Sequence, residues 1–211
     1  MIYEYPEATA PIRQGDVFIG LPRVELSLRQ LPILNERGQA IETTWRDTAR
    51  ANEVVAAVLP VRPVPAIVAT QDCDTLRGRD ITLCEIRPFR DVEGKATKTT
   101  SPKKWKNIIT QHARINQKWF YLPPDERVGF ADKMAVDFRI TICVPRIELE
   151  GLRDLRRGRL NNIADEHFRE RIAEFFRRYP YDEWYPLERE ELDAYQSDYP
   201  DAKAFPWQET G

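Results

Sequence analysis

The chain has 211 residues, of which 42% are hydrophobic and 31% are charged, and its 32 Lys and Arg nearly balance its 34 Asp and Glu, for a net charge of −2. This composition excludes a largely disordered chain and a uniform acidic or basic field. Because no apolar run is long enough to span a membrane, residues 1–11 lack the features of a secretory signal, and three cysteines make no disulfide framework, we expect a cytoplasmic protein.

The predicted strands come first along the chain. An extended arm is expected over residues 1–14, and the polar segment 35–52 predicts a loop or one helical turn. Residues 134–144 give the clearest strand, because apolar and other side chains alternate there over eleven residues. The other predicted strands are short runs of apolar residues bounded by turn residues or prolines. The predicted strands are 17–21, 24–28, 54–59, 66–69, 81–86, 119–122 and 134–144, with 66–69 and 81–86 as an antiparallel hairpin.

Helical signals follow in two places. Ser101 and Pro102 are typical of a helix start, and apolar residues at helical spacing predict an inserted basic helix over about 101–114. After Pro145 the pattern becomes helical, with one helix ending near Arg178 and a short one near 188–195. The order predicts an α+β protein with a small, curled antiparallel sheet or barrel. The expected domains are 1–145, β-barrel-like with the inserted helix, and 146–211, a helical extension with an acidic tail.

Charge is segregated along the chain. Residues 94–124 contain seven Lys and Arg and no acid, whereas residues 182–211 contain nine acids and two bases. Lysines beside aromatic residues are typical of single-stranded nucleic-acid binding. Two alternatives stay open: the aromatics belong to the core and the lysines are solvated, or the two segments attract each other. The candidate binding residues of the basic segment are Lys103, Lys104, Trp105, Lys106, Arg114 and Lys118.

The most unusual short segment is Thr70-Gln71-Asp72-Cys73-Asp74, expected where a buried strand enters a turn. Gln71 provides hydrogen bonding, Asp72 or Asp74 an acceptor or base, and Arg77 a clamp for an anion. Flanking carboxylates disfavour a nucleophilic thiolate at Cys73. The alternative is a turn stabilised by bonds from aspartate side chains to the backbone.

Other catalytic and metal-binding patterns are missing from the sequence. There is no CxxC or HxxxH spacing, no glycine-rich phosphate loop and no nucleophile elbow. We therefore expect no metal and no cofactor. A grouping of Cys73, Cys84 and Cys143 on adjacent strands, completed by His112 or His167, is the alternative.

Two segments resemble a known family. Arg13-Gln14-Gly15-Asp16-Val17 resembles the Gly-Asp-Val opening of MazF/PemK toxins, and Arg62-Pro63-Val64-Pro65-Ala66-Ile67-Val68 is similar to their Arg-Pro-Ala-Val-Val strand with two residues inserted. The resemblance covers about residues 11–90. It implies an SH3-like barrel and, for many members, metal-independent cleavage of single-stranded RNA. The chain departs from the family pattern at Gln71-Asp72-Cys73-Asp74, in the longer gap between the two segments and in its C-terminal 70 residues.

These observations favour a non-catalytic binding or regulatory module of a bacterial stress or defence system. Its expected partner is a protein encoded nearby or single-stranded RNA, and a homodimer is also considered. The competing prediction is a metal-independent endoribonuclease of the toxin type. In that case Arg62, Asp72, Asp74 and Arg77 would supply the acid, the base and the phosphate clamp.

Overall fold

The computed structural model describes residues 2–52, 54–92 and 118–176, together with Asp193, Ser197, Asp198 and Pro200. Contacts divide the chain into two units, Met1–Phe175 and Phe176–Gly211. Almost all described residues belong to the first unit. The boundary predicted between residues 145 and 146 falls inside that first unit, within a continuous run of described structure.

The described strands are β1 (Tyr3–Glu4), β2 (Asp16–Val24), β3 (Leu31–Leu34), β4 (Ala40–Thr43), β5 (Val61–Val68), β6 (Asp80–Pro88), β7 (Trp119–Leu122), β8 (Met134–Pro145) and β9 (Arg156–Leu160). The described helices are α1 (Trp45–Ala51), α2 (Asp72–Arg77), α3 (Phe89–Val92), α4 (Arg146–Gly151) and α5 (Asn162–Phe176), with a 3-10 turn at Arg153–Leu155. This content confirms the predicted α+β class.

Seven of these strands form one antiparallel sheet in the order β1-β9-β2-β5-β6-β8-β7, and β3 pairs with β4 in a separate hairpin. The predicted hairpin of 66–69 with 81–86 is confirmed by the β5–β6 pairing, in which Ile67 faces Cys84. The long predicted strand is confirmed as β8, but its alternate apolar residues do not share one face, since a register shift against β6 separates Val136 and Phe138 from Val144, which belongs to a different core. Within the described ranges no pairing joins β1 to β7, so the sheet is open there and a closed barrel is not observed.

Four local predictions need correction. Strand β9 lies in the region expected to be purely helical, because it pairs with both β1 and β2. Residues 54–59 form no strand, and only Ala57 makes an isolated bridge with Ile33. Residues 25–30 likewise lie outside β2, so the predicted strand 24–28 ends at Val24. The segment 35–52 contains most of the β3–β4 hairpin and helix α1, where a loop or one helical turn was expected.

The predicted helix 101–114 lies outside the described residues, as does nearly all of 188–195.

The sheet carries a core on each face. On the first face, Phe168 of α5 packs with its ring centroid 5.3 Å from Phe120 and 5.9 Å from Phe138. Asn161 begins α5, because its side-chain Oδ1 accepts a hydrogen bond of 2.9 Å from the backbone N–H of Ala164. The second face is covered by α4 and the N-terminal arm. Its core consists of Ile12, Phe18, Leu21, Ala66, Val68, Ile81, Leu83, Val144 and Leu149.

The N-terminal arm is attached to the sheet through a buried ionic cluster. Asp16, fully buried in β2, accepts hydrogen bonds from the guanidinium groups of Arg156 and Arg159. The remaining donors of Arg156 bind the backbone carbonyls of four arm residues, and one of them reaches Glu7 at 2.6 Å. The Gly-Asp segment of the sequence thus fixes the path of the arm across the sheet edge.

Candidate functional site

An array of charged side chains lies on the second face, across four neighbouring strands. Cys84 and Ile86 belong to the first-face core, so Glu85 between them points to the opposite face. The register places Glu85 beside Asp137 of β8. Four arginines contact these two carboxylates. We call the set the arginine array: Arg23, Arg62, Arg87 and Arg139, with Glu85 and Asp137.

Glu85 holds one pair of these arginines. Its side chain is 2% exposed, and its Oε1 accepts a hydrogen bond of 3.1 Å from Arg62 Nη2 while its Oε2 accepts one from Arg23 Nη1. Arg23 and Arg62 are directly opposite on β2 and β5, where two like charges alone would repel. The buried carboxylate between them removes that penalty and fixes both guanidinium groups.

Asp137 holds the other pair. Its buried carboxylate accepts bonds of 2.8 and 2.7 Å from Arg139 Nε and Nη2, and Arg87 Nη1 lies 3.5 Å from its Oδ2. Burial alone would raise the pKa of Asp137. The hydrogen bonds from Arg139 and the charges of Arg139 and Arg87 outweigh burial and hold that pKa below its ordinary value. The carboxylate therefore stays ionised and keeps both arginines in place.

The array presents guanidinium groups to solvent in fixed positions. Side-chain exposure is 28% for Arg23, 47% for Arg62, 33% for Arg87 and 45% for Arg139, so donors remain available to a ligand. Arg62 Nε also binds the exposed Glu25 at 2.7 Å. Four guanidinium charges therefore face three carboxylates, which leaves a positive excess. Planar guanidinium groups that are already oriented suit the oxygens of a phosphate or phosphodiester.

The second polar site contains the predicted residues Gln71 and Asp72, at the start of α2. Asp72 accepts bonds from Arg13 Nη2 at 2.7 Å, from the Gln14 backbone N–H at 2.8 Å and from Arg169 Nη2 at 3.3 Å. Burial alone would raise the pKa of Asp72. The hydrogen bonds from Arg13 and Gln14 outweigh burial, so this pKa lies below its ordinary value. A carboxylate so fully occupied joins the arm to α5 and is poorly suited to act as a base.

A small cavity of about 350 Å³ adjoins this carboxylate and is bordered by Gln71, Cys73 and Arg169. Asp74 and Arg77 are exposed on α2, and neither makes an ion pair with any residue in the described ranges. The segment after β5, which the sequence predicts as a turn, is the six-residue helix α2. Its aspartates occupy the first turn, where the helix dipole favours negative charge.

The four residues of the ribonuclease prediction are not brought together. Arg62 stands near the start of β5, whereas Asp72, Asp74 and Arg77 follow its other end. Val68 lies six positions beyond Arg62 along β5, a span of about 20 Å. Of the basic-segment residues, Lys103, Lys104, Trp105, Lys106 and Arg114 lie outside the described residues. Lys118 is described, directly before β7, and its backbone carbonyl accepts a bond from Phe138.

Sequence reasoning found only Arg62 of the array. A usable signal was present: Glu85 and Arg87 on β6, and Asp137 and Arg139 on β8, each place an acid two residues before an arginine. Two residues apart on a strand means the same face. The same pattern on two paired strands indicates acids and arginines that meet across the sheet.

Among the described residues, no group of three His, Cys, Asp or Glu side chains is placed to hold a metal ion. No helix in the described part of the chain combines the length and apolar character needed to cross a membrane. No protein-family model, curated protein or solved structure matches the chain.

Proposed function

We propose that the protein is a non-catalytic binding module that recognises single-stranded RNA through the arginine array. The observation that carries this proposal is the pairing of four partly exposed arginines with two buried carboxylates on one face of the sheet. The carboxylates fix the guanidinium groups before a ligand arrives, which lowers the entropic cost of binding phosphates. Phosphate contacts from such groups supply most of the affinity for nucleic acid.

The basic segment supports the same ligand. Lys118 and Trp119 bring the chain from this segment into β7, and Trp119 is the register partner of Asp137 in the array. The lysines of residues 94–117 are thus tied in sequence to the edge of the array. In this proposal Lys103, Lys104 and Lys106 add phosphate contacts, and Trp105 stacks on an unpaired base.

The MazF/PemK-like barrel and the stress or defence context are also part of the proposal. The two segments that resemble the family are neighbours in the sheet, because Val17 is the register partner of Ile67 and the Gly15 N–H binds the Val68 carbonyl at 3.0 Å. Register shifts in β2 and between β6 and β8 add twist, which a barrel requires.

The test measures binding of a fluorescent single-stranded RNA across a range of salt concentrations. Arg62→Gln and Arg139→Gln each remove one exposed guanidinium and leave the buried carboxylate at that position with its other arginine. We expect each variant to weaken binding about tenfold and to flatten the salt dependence. Arg37→Gln, at the exposed turn between β3 and β4, is the matched control and should bind like wild type.

Two results would contradict the proposal. Array variants that bind as tightly as Arg37→Gln would remove the array from the interface. An absence of binding to any RNA at low salt, together with a stable complex formed with a protein encoded nearby, would replace RNA by a protein partner. If the triple variant Lys103→Glu, Lys104→Glu, Lys106→Glu binds RNA as tightly as wild type, the basic segment is excluded from the RNA interface and the array is not.

The endoribonuclease alternative rests on Arg62, which contacts the buried carboxylate of Glu85. In such an enzyme Arg62 would bind the phosphate and a neighbouring carboxylate would act as the base. Both oxygens of Glu85 are engaged by arginines, so this carboxylate has little capacity to accept a proton. Incubation of concentrated protein with mixed RNA in chelator distinguishes the alternatives. Cleavage that is lost in Arg62→Gln would favour the enzyme, and intact RNA would favour the binding module.

A further inference from the structure

A cavity of about 870 Å³ opens next to the array, which is within the size range of ligand pockets in proteins. It lies between the segment that follows β2 and the β3–β4 hairpin. The Glu25 N–H binds the Pro60 carbonyl at 2.9 Å, and the Trp45 N–H binds the Leu28 carbonyl at 3.0 Å. These bonds hold the walls of the cavity together.

The lining of this cavity combines apolar surface with hydrogen-bond acceptors, and Arg29, Gln30 and three hydroxyl residues add donors around them. Pro32, Leu59 and Pro60 supply the apolar part, and Glu25 and Glu42 supply carboxylates. The exposed Glu25 receives one bond from Arg62 at its Oε1, and no described residue donates to its Oε2. A planar ring with hydrogen-bond donors on one edge fits such a lining.

Arg62 connects the cavity to the array. Its Nε binds Glu25 at 2.7 Å, and its Nη2 binds Glu85 at 3.1 Å. A phosphate seated on the array therefore lies beside the mouth of the cavity. The base of the same nucleotide can enter the cavity while its phosphate keeps its arginine contacts.

We propose that this cavity binds a guanine base of the RNA, with the Glu25 carboxylate accepting from the guanine N1–H and N2 amino groups. An ionised carboxylate only accepts hydrogen bonds, and guanine is the one RNA base with two adjacent donors on its Watson–Crick edge. Adenine, cytosine and uracil each place an acceptor beside their donor. This inference rests on the proposed RNA-binding function and adds base preference to it.

The experiment compares nine-residue uridine oligonucleotides that carry a central guanosine, adenosine, cytidine, inosine or uridine. We expect the guanosine oligonucleotide to bind about tenfold more tightly than the uridine one, the scale of a bidentate contact to a base. Inosine, which lacks the N2 amino group, should lose most of this gain. Glu25→Gln should abolish the preference, whereas Glu36→Gln in the hairpin turn should retain it.

The possible outcomes distinguish a failure of the guanine site from a failure of the proposed RNA binding. Salt-dependent binding of all five oligonucleotides with equal affinity would overturn the guanine site and leave RNA binding intact. A guanine preference that survives Glu25→Gln would also overturn the assignment. Glu25→Gln removes one contact of Arg62, so its uridine affinity is measured alongside, and only the guanosine-to-uridine ratio decides. Failure of every oligonucleotide to bind would remove both proposals.

Discussion

Replacing Asp16 by Asn removes the negative charge at the centre of the cluster that holds the N-terminal arm. Asp16 is fully buried and is bonded to Arg156 and Arg159, and the Arg156 side chain is only 2% exposed. The substitution keeps the shape of the side chain. It leaves one buried guanidinium without its closest counter-charge and directs an amide N–H₂ at groups that only donate.

The expected cost is about 3 kcal/mol, at the lower end of the range for breaking a buried ion pair from one side. Asn keeps one carbonyl acceptor, and Arg156 keeps its bonds to the arm carbonyls, including Glu7 and Ala10. A domain of this size is stabilised by about 5–15 kcal/mol, so the loss is a large fraction of the total. It corresponds to a fall of roughly 6–12 °C in Tm.

Urea unfolding followed by circular dichroism measures the change in the free energy of unfolding. The matched control is Asp80→Asn, because Asp80 is exposed at the start of β6 and makes no ion pair with a described residue. The control should stay within about 0.5 kcal/mol of wild type. A loss below about 1 kcal/mol in Asp16→Asn would refute the reasoning that this cluster carries the arm.

Two further predictions follow from burial and charge. Since Arg139 lowers the pKa of Asp137, the ionised carboxylate stabilises the folded state at neutral pH, and this contribution fades as pH falls through about 4 and below. Asp137→Asn should therefore lower Tm more at pH 7 than at pH 3, and an equal loss at both pH values would contradict the linkage. Burial raises the pKa of Cys84 to about 12, whereas Cys73 and Cys143 are exposed. Mass spectrometry after alkylation of native protein should find two modified thiols, with the third modified only in denaturant, and rapid native labelling of all three would contradict the fold.

The sheet was more predictable than the elements around it. Met134–Pro145 was predictable because apolar residues occupy every second position, although burial follows that alternation only from Arg139 onward. Ala135–Phe138 are buried without a break, because the β6–β8 pairing shifts register and places Val136 and Val144 in cores on opposite faces. β4 has no buried residue and carries no such signal. Its pairing with β3 depends on a tight turn at Asn35–Gly38, where the Gly38 N–H binds the Asn35 carbonyl. β9 was hidden because three of its five residues are arginines, and Arg156 and Arg159 are held by ion pairs with Asp16 rather than by apolar burial.

The candidate site was predictable only in part for a related reason. Asp72 was found because a carboxylate after a buried strand is conspicuous, yet its partners Arg13 and Arg169 are 59 and 97 residues away in sequence. The array needed knowledge of which strands are neighbours. Glu85 and Asp137 are 52 residues apart in number, and only the β6–β8 register brings them together. The spacing of acid and arginine along each strand is visible in the sequence, but the pairing of the two strands is not.

The position of β9 has a consequence for how the protein is made. β9 lies between β1 and β2, so the first strands of the chain cannot complete their hydrogen bonds until residues 156–160 have emerged from the ribosome. At about 5–20 residues per second, the amino-terminal arm waits for roughly ten seconds or more after its own synthesis. During that interval the open side of β2 is a free strand edge, available for incorrect pairing with other chains. Once it has emerged, β9 covers this edge of β2 and joins it to β1.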